Sequence, residues 1–186
     1  MIGYAFCGSF CTLSRSLSAL GLLVEQGLDV QPIMSERVYN TDTRFYLAAD
    51  FRREVEGITK RKIISTVEAA EPLGTSSPLD ALIVAPCTGN TLAKLASGIS
   101  DGAVTMAIKA HLRQDRPTLI CLASNDAMSQ NLKNIGFAIS RKSVYMLPMQ
   151  QDNPVQKPHS LVCNFDLLLE GYSEMMRGRQ LRPLFL

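Results

Sequence analysis

The chain has 186 residues, 46% of them hydrophobic and 19% charged, and carries a formal net charge of +2 at pH 7. We expect one domain over residues 1–186, because this length can bury a substantial core. The small charge argues against nucleic-acid binding, and no apolar run reaches the about 18 residues that span a membrane. The amino terminus lacks the charged leader of a signal peptide, so we expect a cytoplasmic protein.

Short apolar runs alternate with amphipathic stretches along the chain. Buried strands are predicted near residues 2–7, 29–34, 62–65, 80–85, 117–122 and 143–147. Helices are predicted near residues 13–26, 42–57, 89–98, 103–113, 127–135 and 165–177, with a short helical turn that starts at Ser65. This alternation predicts an α/β fold, a three-layer Rossmann or flavodoxin-like arrangement around a doubly wound parallel sheet.

The first two strands run into small hydroxyl residues. Gly8 and Ser9 follow the first strand, and Ser35 follows the second. Ligands of open α/β sheets collect at the carboxyl ends of the strands, where helix N-termini present free N–H groups. Each serine could instead serve only as a helix N-cap.

A third strand end lies at residues 85–91, which read Ala-Pro-Cys-Thr-Gly-Asn-Thr and follow a buried apolar run. Small, hydrogen-bonding residues here join a strand to a helix, as in phosphate- and flavin-binding corners. Asn90 could cap the helix, a role that is compatible with ligand binding because both use the same free N–H groups.

Residues 85–91 resemble the Ala-Pro-Ala-Ser-Ala-Asn-Thr signature of the homo-oligomeric flavin-containing cysteine decarboxylase superfamily. The similarity continues through Ala93, Lys94, Gly98, Asp101 and Thr105. This resemblance implies that the chain binds FMN. The residues implied at the phosphate are Gly8, Ser9 and Ser35, and those implied at the ribityl chain and ring are Pro86, Thr88, Asn90 and Thr91.

Residues 124–132 resemble the Pro-x-Met-Asn-x-x-Met substrate loop of the same superfamily. Asn125 and Met128 are in register with it, whereas Leu122 replaces the proline. The resemblance implies that Asn125 and Met128 line the substrate side of the site.

Within this superfamily, nearly the whole chain is similar to the family of dipicolinate synthase B subunits. The similar stretches include residues 3–9, 105–113, 133–136 and 151–161. The resemblance implies a role in making pyridine-2,6-dicarboxylate during sporulation, together with an A subunit that carries NAD(P). It also implies a homo-oligomer, a trimer or a multiple of one.

A dicarboxylate substrate needs cationic or N–H donors, and the planar fork of arginine matches a carboxylate best. The candidates are Arg44, Lys109, Arg113 and Lys157. We favour Arg44, which follows the Ser35 strand end, and Lys157, which lies in a long polar loop.

One departure from the decarboxylases concerns their catalytic histidine, which precedes the strand leading into the flavin signature. The corresponding residues here, 70–80, contain no histidine, which argues against cysteine decarboxylation. His111 falls in a predicted helix and His159 in a loop, so we expect a structural role for the first and leave ligand contact open for the second. The catalytic residue is left unassigned.

The five cysteines show no metal-ligand spacing and are expected to be reduced thiols, so no metal site is predicted. Cys7 and Cys121 lie in apolar runs and are expected to pack as small hydrophobic residues. Cys87 lies in the flavin corner, where it is either a nucleophile or, as we favour, a small packing residue.

Two segments fall outside the regular alternation. Residues 148–160 contain three prolines and form either a lid or a rigid connector. Residues 179–186 end in apolar side chains that we expect a neighbouring subunit to cover.

Three hypotheses remain for the function. The first is an FMN-type flavoprotein subunit that acts with an A subunit. The second is a non-catalytic partner that positions the A subunit without holding flavin. The third is a flavin-dependent decarboxylase or a flavin prenyltransferase relative.

Overall fold

The structure is a computed structural model that describes residues 1–186. One sheet of seven strands lies at its centre. The strands are β1 (Ile2–Phe6), β2 (Val30–Met34), β3 (Leu82–Cys87), β4 (Thr118–Ser124), β5 (Val144–Met146), β6 (Met149–Gln151) and β7 (Leu161–Cys163). Strands β2, β1, β3, β4 and β5 are parallel neighbours in that order, as in flavodoxin-like sheets. The predicted fold class is therefore confirmed.

Helices cover both faces of the sheet. They are α1 (Leu13–Glu25), α2 (Glu36–Asn40), α3 (Ala48–Thr59), α4 (Val67–Ala70), α5 (Gly89–Ser97), α6 (Ala103–Leu112), α7 (Leu132–Ser140) and α8 (Leu168–Met176). Helices α1, α3 and α8 pack on one face, and α4 to α7 pack on the other. Each face buries a core cluster of 25 residues, so both layers contribute equally to the doubly wound arrangement. No helix has both the length and the apolar character needed to cross a membrane.

Helix α1 shows how the local sequence sets the packing. Its buried residues Leu13, Leu17 and Leu20 recur at helical spacing and form a stripe that faces the sheet. The helix ends just before Gly27, which has a φ of +80°. Glycine adopts this left-handed conformation without steric cost, so it ends the helix as predicted.

A buried hydrogen-bond chain ties α1 to the strands. The Tyr4 hydroxyl on β1 donates to the Ser16 carbonyl at 2.9 Å, and the Ser16 hydroxyl donates to the Ala85 carbonyl on β3 at 2.7 Å. Burial in the core raises the pKa of the Tyr4 hydroxyl. This chain fixes β1, α1 and β3 relative to one another directly beneath the strand ends that carry the predicted corners.

The predicted strand at residues 62–65 is wrong. Only Ile64 bridges the sheet, opposite Ile33. Ile63 and Ile64 pack against opposite core clusters, and this alternation produced the strand signal. The neighbouring cations Arg61 and Lys62 form exposed ion pairs with Asp29 and Glu56.

Two helix predictions need corrected boundaries. The helix predicted at 42–57 begins only at Ala48, because the Asp42 side chain accepts a hydrogen bond from the Ala48 N–H at 2.8 Å, and it runs past Gly57 to Thr59. The helix predicted at 127–135 begins at Leu132, because residues 125–131 form turns around the Asp126 carbonyl.

The carboxyl-terminal part of the chain adds an antiparallel element that the alternation did not predict. Strands β6 and β7 form a hairpin, and β7 pairs antiparallel with the end of β4. Residues 148–160, predicted as a loop, therefore contain β6 followed by the hairpin turn. The tail pairs with the same hairpin, because Met149 exchanges backbone hydrogen bonds with Leu184 and Leu186.

His111 is fully buried on α6, and its Nε2 atom lies 3.0 Å from the Pro117 carbonyl while its Nδ1 atom has no partner. Desolvation lowers its pKa from the ordinary value of 6.5. The unfolded chain therefore binds more protons than the folded one just below pH 6.5, so we expect the free energy of unfolding to fall as the pH drops from 6.5 towards 5.

Urea unfolding followed by circular dichroism between pH 8 and pH 5 would measure this effect. We expect His111→Gln to flatten the dependence, because it removes the buried imidazole. An equal slope in His111→Gln would assign the pH dependence to other groups.

Candidate functional site

A cavity of about 560 Å³ opens at the carboxyl edge of the sheet. Its walls come from residues 8–12 after β1, residues 88–90 after β3 and residues 123–126 at the end of β4. Arg44 and Phe45 close one side, and the β6–β7 hairpin closes another. Strands β1 and β3 are neighbours whose chain connections lead in opposite directions, which is the position where such sheets bind ligands.

The corner after β1 is held by its backbone and leaves one hydroxyl free. The Ser9 N–H donates to the Cys7 carbonyl at 2.8 Å, and the Thr12 hydroxyl donates to the Ser9 carbonyl at 2.8 Å. The Ser9 hydroxyl itself has no partner within the chain and makes no helix cap. It is therefore available to a ligand in the cavity.

The corner after β3 is the N-terminus of α5. Thr88, not Asn90, caps this helix, and its hydroxyl accepts from the Thr91 N–H at 3.2 Å. The Thr91 hydroxyl lies 3.2 Å from the Cys7 Sγ atom and joins this corner to the one after β1. Asn90 is exposed with a free side chain, and the N–H groups of the first turn have no partner within the helix. The corner thus presents N–H and amide donors to the cavity.

A polar cluster at and after the end of β4 contacts the start of α5. The Asp126 carboxylate accepts from the Ser124 hydroxyl at 2.5 Å and from the Asn131 Nδ2 atom at 2.8 Å. A Cβ atom at Gly89 would lie 2.6 Å from Asn131 Nδ2 and 2.7 Å from Asp126 Oδ1, and still closer to Ser124 Oγ. Only glycine fits this position without displacing the cluster.

Two cationic side chains, Arg44 and Lys157, line the cavity. The Arg44 guanidinium stacks on the Phe45 ring at 4.8 Å from its centroid. The Lys157 ammonium lies 2.5 Å from the Asp152 carboxylate, which raises the pKa of Lys157. Arg44 and Lys157 thus come from distant parts of the chain and line the same cavity as Asn125.

The structure divides the residues proposed from the sequence into two groups. Seven line the cavity: Gly8, Ser9, Arg44, Thr88, Asn90, Asn125 and Lys157. Four do not: Ser35, which caps α2; Pro86, which is buried in β3; Thr91, which supports Thr88; and Met128, which packs against the core. The alternative dicarboxylate ligands Lys109 and Arg113 lie on α6, away from this cavity.

Several lining residues were not proposed from the sequence, among them Phe45, Asp126 and Asp152. Asp126 adjoins Asn125, and Phe45 adjoins Arg44, so proximity to the proposed residues was a usable signal. Asp152 becomes part of the site only through the hairpin, which no local pattern predicted. No group of three or more His, Cys, Asp or Glu side chains is placed to hold a metal ion.

Four of the five cysteine thiols are buried. Burial raises the pKa of Cys7 to about 11, and it raises the pKa of Cys87 and of Cys121 well above the usual range. Cys163 is also buried. Cys87 is therefore a packing residue, because a protonated, inaccessible thiol is a poor nucleophile.

Cys11 is exposed and lines the cavity, so we expect one thiol per folded chain to react rapidly with N-ethylmaleimide. A ligand that fills the cavity should slow this reaction. Mass spectrometry of the alkylated protein, with and without FMN, would measure both effects, and Cys11→Ser should abolish the rapid phase. Rapid labelling of a second cysteine would contradict the burial described here.

Comparisons with known proteins agree with this architecture. Residues 1–174 match the Flavoprotein family. The chain is 36% identical over 183 residues to the dipicolinate synthase B subunit of Bacillus subtilis (strain 168), and the match covers 98% of this chain and 92% of that protein. The crystal structure of the dipicolinate synthase B subunit from Bacillus halodurans superposes with a TM-score of 0.91 at 36% identity, over 100% of this chain and 95% of that one.

A more distant match shows the shared fold. The crystal structure of the FMN-dependent cysteine decarboxylase SpaF superposes with a TM-score of 0.69 at 19% identity, over 95% of each chain.

Proposed function

The chain belongs to the Flavoprotein family and, within it, to the family of dipicolinate synthase B subunits, and from this premise we propose that it is an FMN-binding subunit of a dipicolinate-forming oxidoreductase. In this proposal it acts in the cytoplasm with an A subunit that carries NAD(P). Together they oxidise dihydrodipicolinate, or its hydrated precursor, to pyridine-2,6-dicarboxylate. The observation that carries the proposal is the cavity at the β1/β3 edge, which gathers two of the three predicted corners and both favoured cations.

The donors of the cavity suit FMN. Gly8 and the free Ser9 hydroxyl would hold the phosphate, whereas Ser35 caps α2 outside the cavity. Thr88 and Asn90 would border the ribityl chain and ring beside the free N–H groups of α5, while Pro86 and Thr91 support that corner from behind. When bound, the flavin supplies an electron acceptor.

The remaining wall suits a small dicarboxylate. Arg44 and Lys157 would each bind one carboxylate, and Asn125 would donate a further hydrogen bond. Met128 would support the Asn125 turn, because its N–H donates to the His159 carbonyl at 3.0 Å. Forming an aromatic ring from the substrate also releases a proton, and the carboxylates of Asp126 and Asp152 are the acceptors present in the wall.

The visible absorption spectrum of the protein purified without a partner, before and after FMN addition and desalting, tests the cofactor assignment. We expect a retained flavin spectrum that is lost in Ser9→Ala and in Asn90→Ala. Ser14→Ala and Asn40→Ala remove exposed side chains outside the cavity and serve as matched controls. A wild-type protein that stays colourless would overturn the assignment.

A second function, a non-catalytic partner that positions the A subunit, has one specific observation in its favour. No histidine lines the cavity, and no residue of the segment 70–80 reaches it. The site therefore lacks the catalytic histidine implied for the decarboxylases, which also argues against a decarboxylase or prenyltransferase activity. Co-purification with an A subunit combined with the absence of flavin would favour this second function.

We also propose a homo-oligomer, a trimer or a multiple of one. Helix α7 exposes the apolar side chains of Leu132 and Phe137 at 51% and 45% of their surface. Exposed apolar side chains of this kind are often covered by a neighbouring subunit. The tail residues Phe185 and Leu186 are exposed as well.

A further inference from the structure

A second cavity, of about 230 Å³, lies between α5, α6 and the end of α7. Lys109 contributes to it from α6, and Arg113 and Arg141 contribute from the residues directly after α6 and α7. No aspartate or glutamate lines it. The cavity is therefore a concentration of positive charge in a chain whose net charge is only +2.

These three cations are unpaired. None belongs to an ion pair, whereas eight other lysines and arginines of the chain do. Lys109 and Arg113 are four residues apart, a spacing at which like charges on a helix repel one another. Arg141 adds a third exposed cation to this pair at the same cavity, and an anion there would be attracted to all three.

None of these cations hydrogen-bonds the terminal carbonyl groups of its helix. Arg113 and Arg141 follow the last residues of α6 and α7, where a cation can bind the terminal carbonyl groups. Arg113 instead donates to the Gly74 carbonyl at 3.4 Å, and Lys109 donates to the Ser100 hydroxyl at 3.3 Å. Arg141 makes no side-chain hydrogen bond within the chain. The Arg141 donors, and the donors of Arg113 and Lys109 that these two bonds do not use, are therefore available to a ligand.

The floor of the cavity is apolar. Leu95, Ile108 and Leu112 are buried beneath the cations, and Ile99 forms a half-exposed rim. Cations around an apolar floor fit a ligand that has an apolar body and more than one anionic group. The volume restricts that ligand to a compact molecule.

We infer that this cavity, defined by Lys109, Arg113, Arg141 and their apolar floor, is a second binding site for a compact dicarboxylate. It is separate from the cavity at the sheet edge and does not depend on the proposed function. A second site of this kind would let a dicarboxylate bind without entering the first cavity.

Calorimetric titration with isophthalate, an aromatic dicarboxylate, tests the inference. The Arg44→Gln, Lys157→Gln double variant removes the cations of the first cavity, and we expect it to retain isophthalate binding. Adding Arg141→Gln or Arg113→Gln should raise the dissociation constant by about tenfold. Lys142→Gln, which removes a neighbouring cation that pairs with Asp115, should leave it unchanged.

The outcomes separate the two sites. Isophthalate that binds at the second cavity should leave the alkylation rate of Cys11 unchanged, whereas binding in the first cavity should slow it. Loss of all binding in the double variant, or binding that is insensitive to Arg113→Gln and Arg141→Gln, would overturn the inference. Thermal unfolding of each variant verifies that it is folded. The flavin spectrum described above tests the proposed function independently of this second site.

Discussion

Replacing Gly89 by alanine is expected to destabilise the protein by about 1–3 kcal/mol and to weaken FMN binding. The added methyl group would collide with the cluster of Ser124, Asp126 and Asn131 at the start of α5. Alanine favours a helix over glycine by up to about 1 kcal/mol, so the collision has to outweigh that gain. Urea unfolding and FMN titration measure the two effects.

Helix α7 offers a matched control for this substitution. Gly136 also lies inside a helix, but nothing lies within 4 Å of the Cβ atom that alanine would add. We expect Gly136→Ala to stabilise the protein by about 0.5–1 kcal/mol. Equal effects of the two substitutions would show that the cluster yields readily and does not constrain the helix start.

Loss of the Arg44 guanidinium is expected to weaken pyridine-2,6-dicarboxylate binding at the sheet edge by about 10- to 100-fold, the value of a charged hydrogen-bonded pair. Arg44→Lys should recover part of the affinity, since it restores the charge but not the planar fork. Calorimetry in the Arg113→Gln, Arg141→Gln background isolates this site. Lys60→Gln, which removes an exposed cation without an ion pair, is the control.

Substitutions in the Lys157–Asp152 pair are expected to change the affinity for the dicarboxylate in opposite directions. Lys157→Gln leaves the Asp152 carboxylate unneutralised in the wall, so affinity should fall, whereas Asp152→Asn frees the Lys157 ammonium, so affinity should rise. Affinity that changes in the same direction in both variants would show that the hairpin acts through its shape rather than its charge.

Much of the fold was predictable because it rests on local patterns. The apolar stripe of α1 and its glycine stop, and the buried runs of β1, β3 and β4, each carry their own signal. The corners were predictable for the same reason, since strand ends with small hydroxyl residues meet at one edge of a parallel sheet. The resemblance to the flavin-containing cysteine decarboxylase superfamily predicted the kind of ligand.

The rest depends on contacts between distant residues. Residues 62–65 resembled a strand because Ile63 and Ile64 pack against opposite core clusters, but only Ile64 forms a bridge to the sheet. Thr91 matches the signature, yet its hydroxyl points to Cys7, 84 positions away, and therefore supports the cavity without lining it. The charged wall of the cavity could not be predicted from the sequence, because Lys157 lines the cavity only when the β6–β7 hairpin folds back onto β4.

The pairing of the tail with Met149 has a practical consequence for anyone who handles this protein. The same hairpin that carries Asp152 and Lys157 is bordered by Leu184 and Leu186, so an affinity tag fused after Leu186 would sit against a wall of the ligand cavity. Met1 lies at the opposite end of β1 and pairs with Asp80 there. Ligand titrations are therefore better performed with an amino-terminal tag or after tag removal.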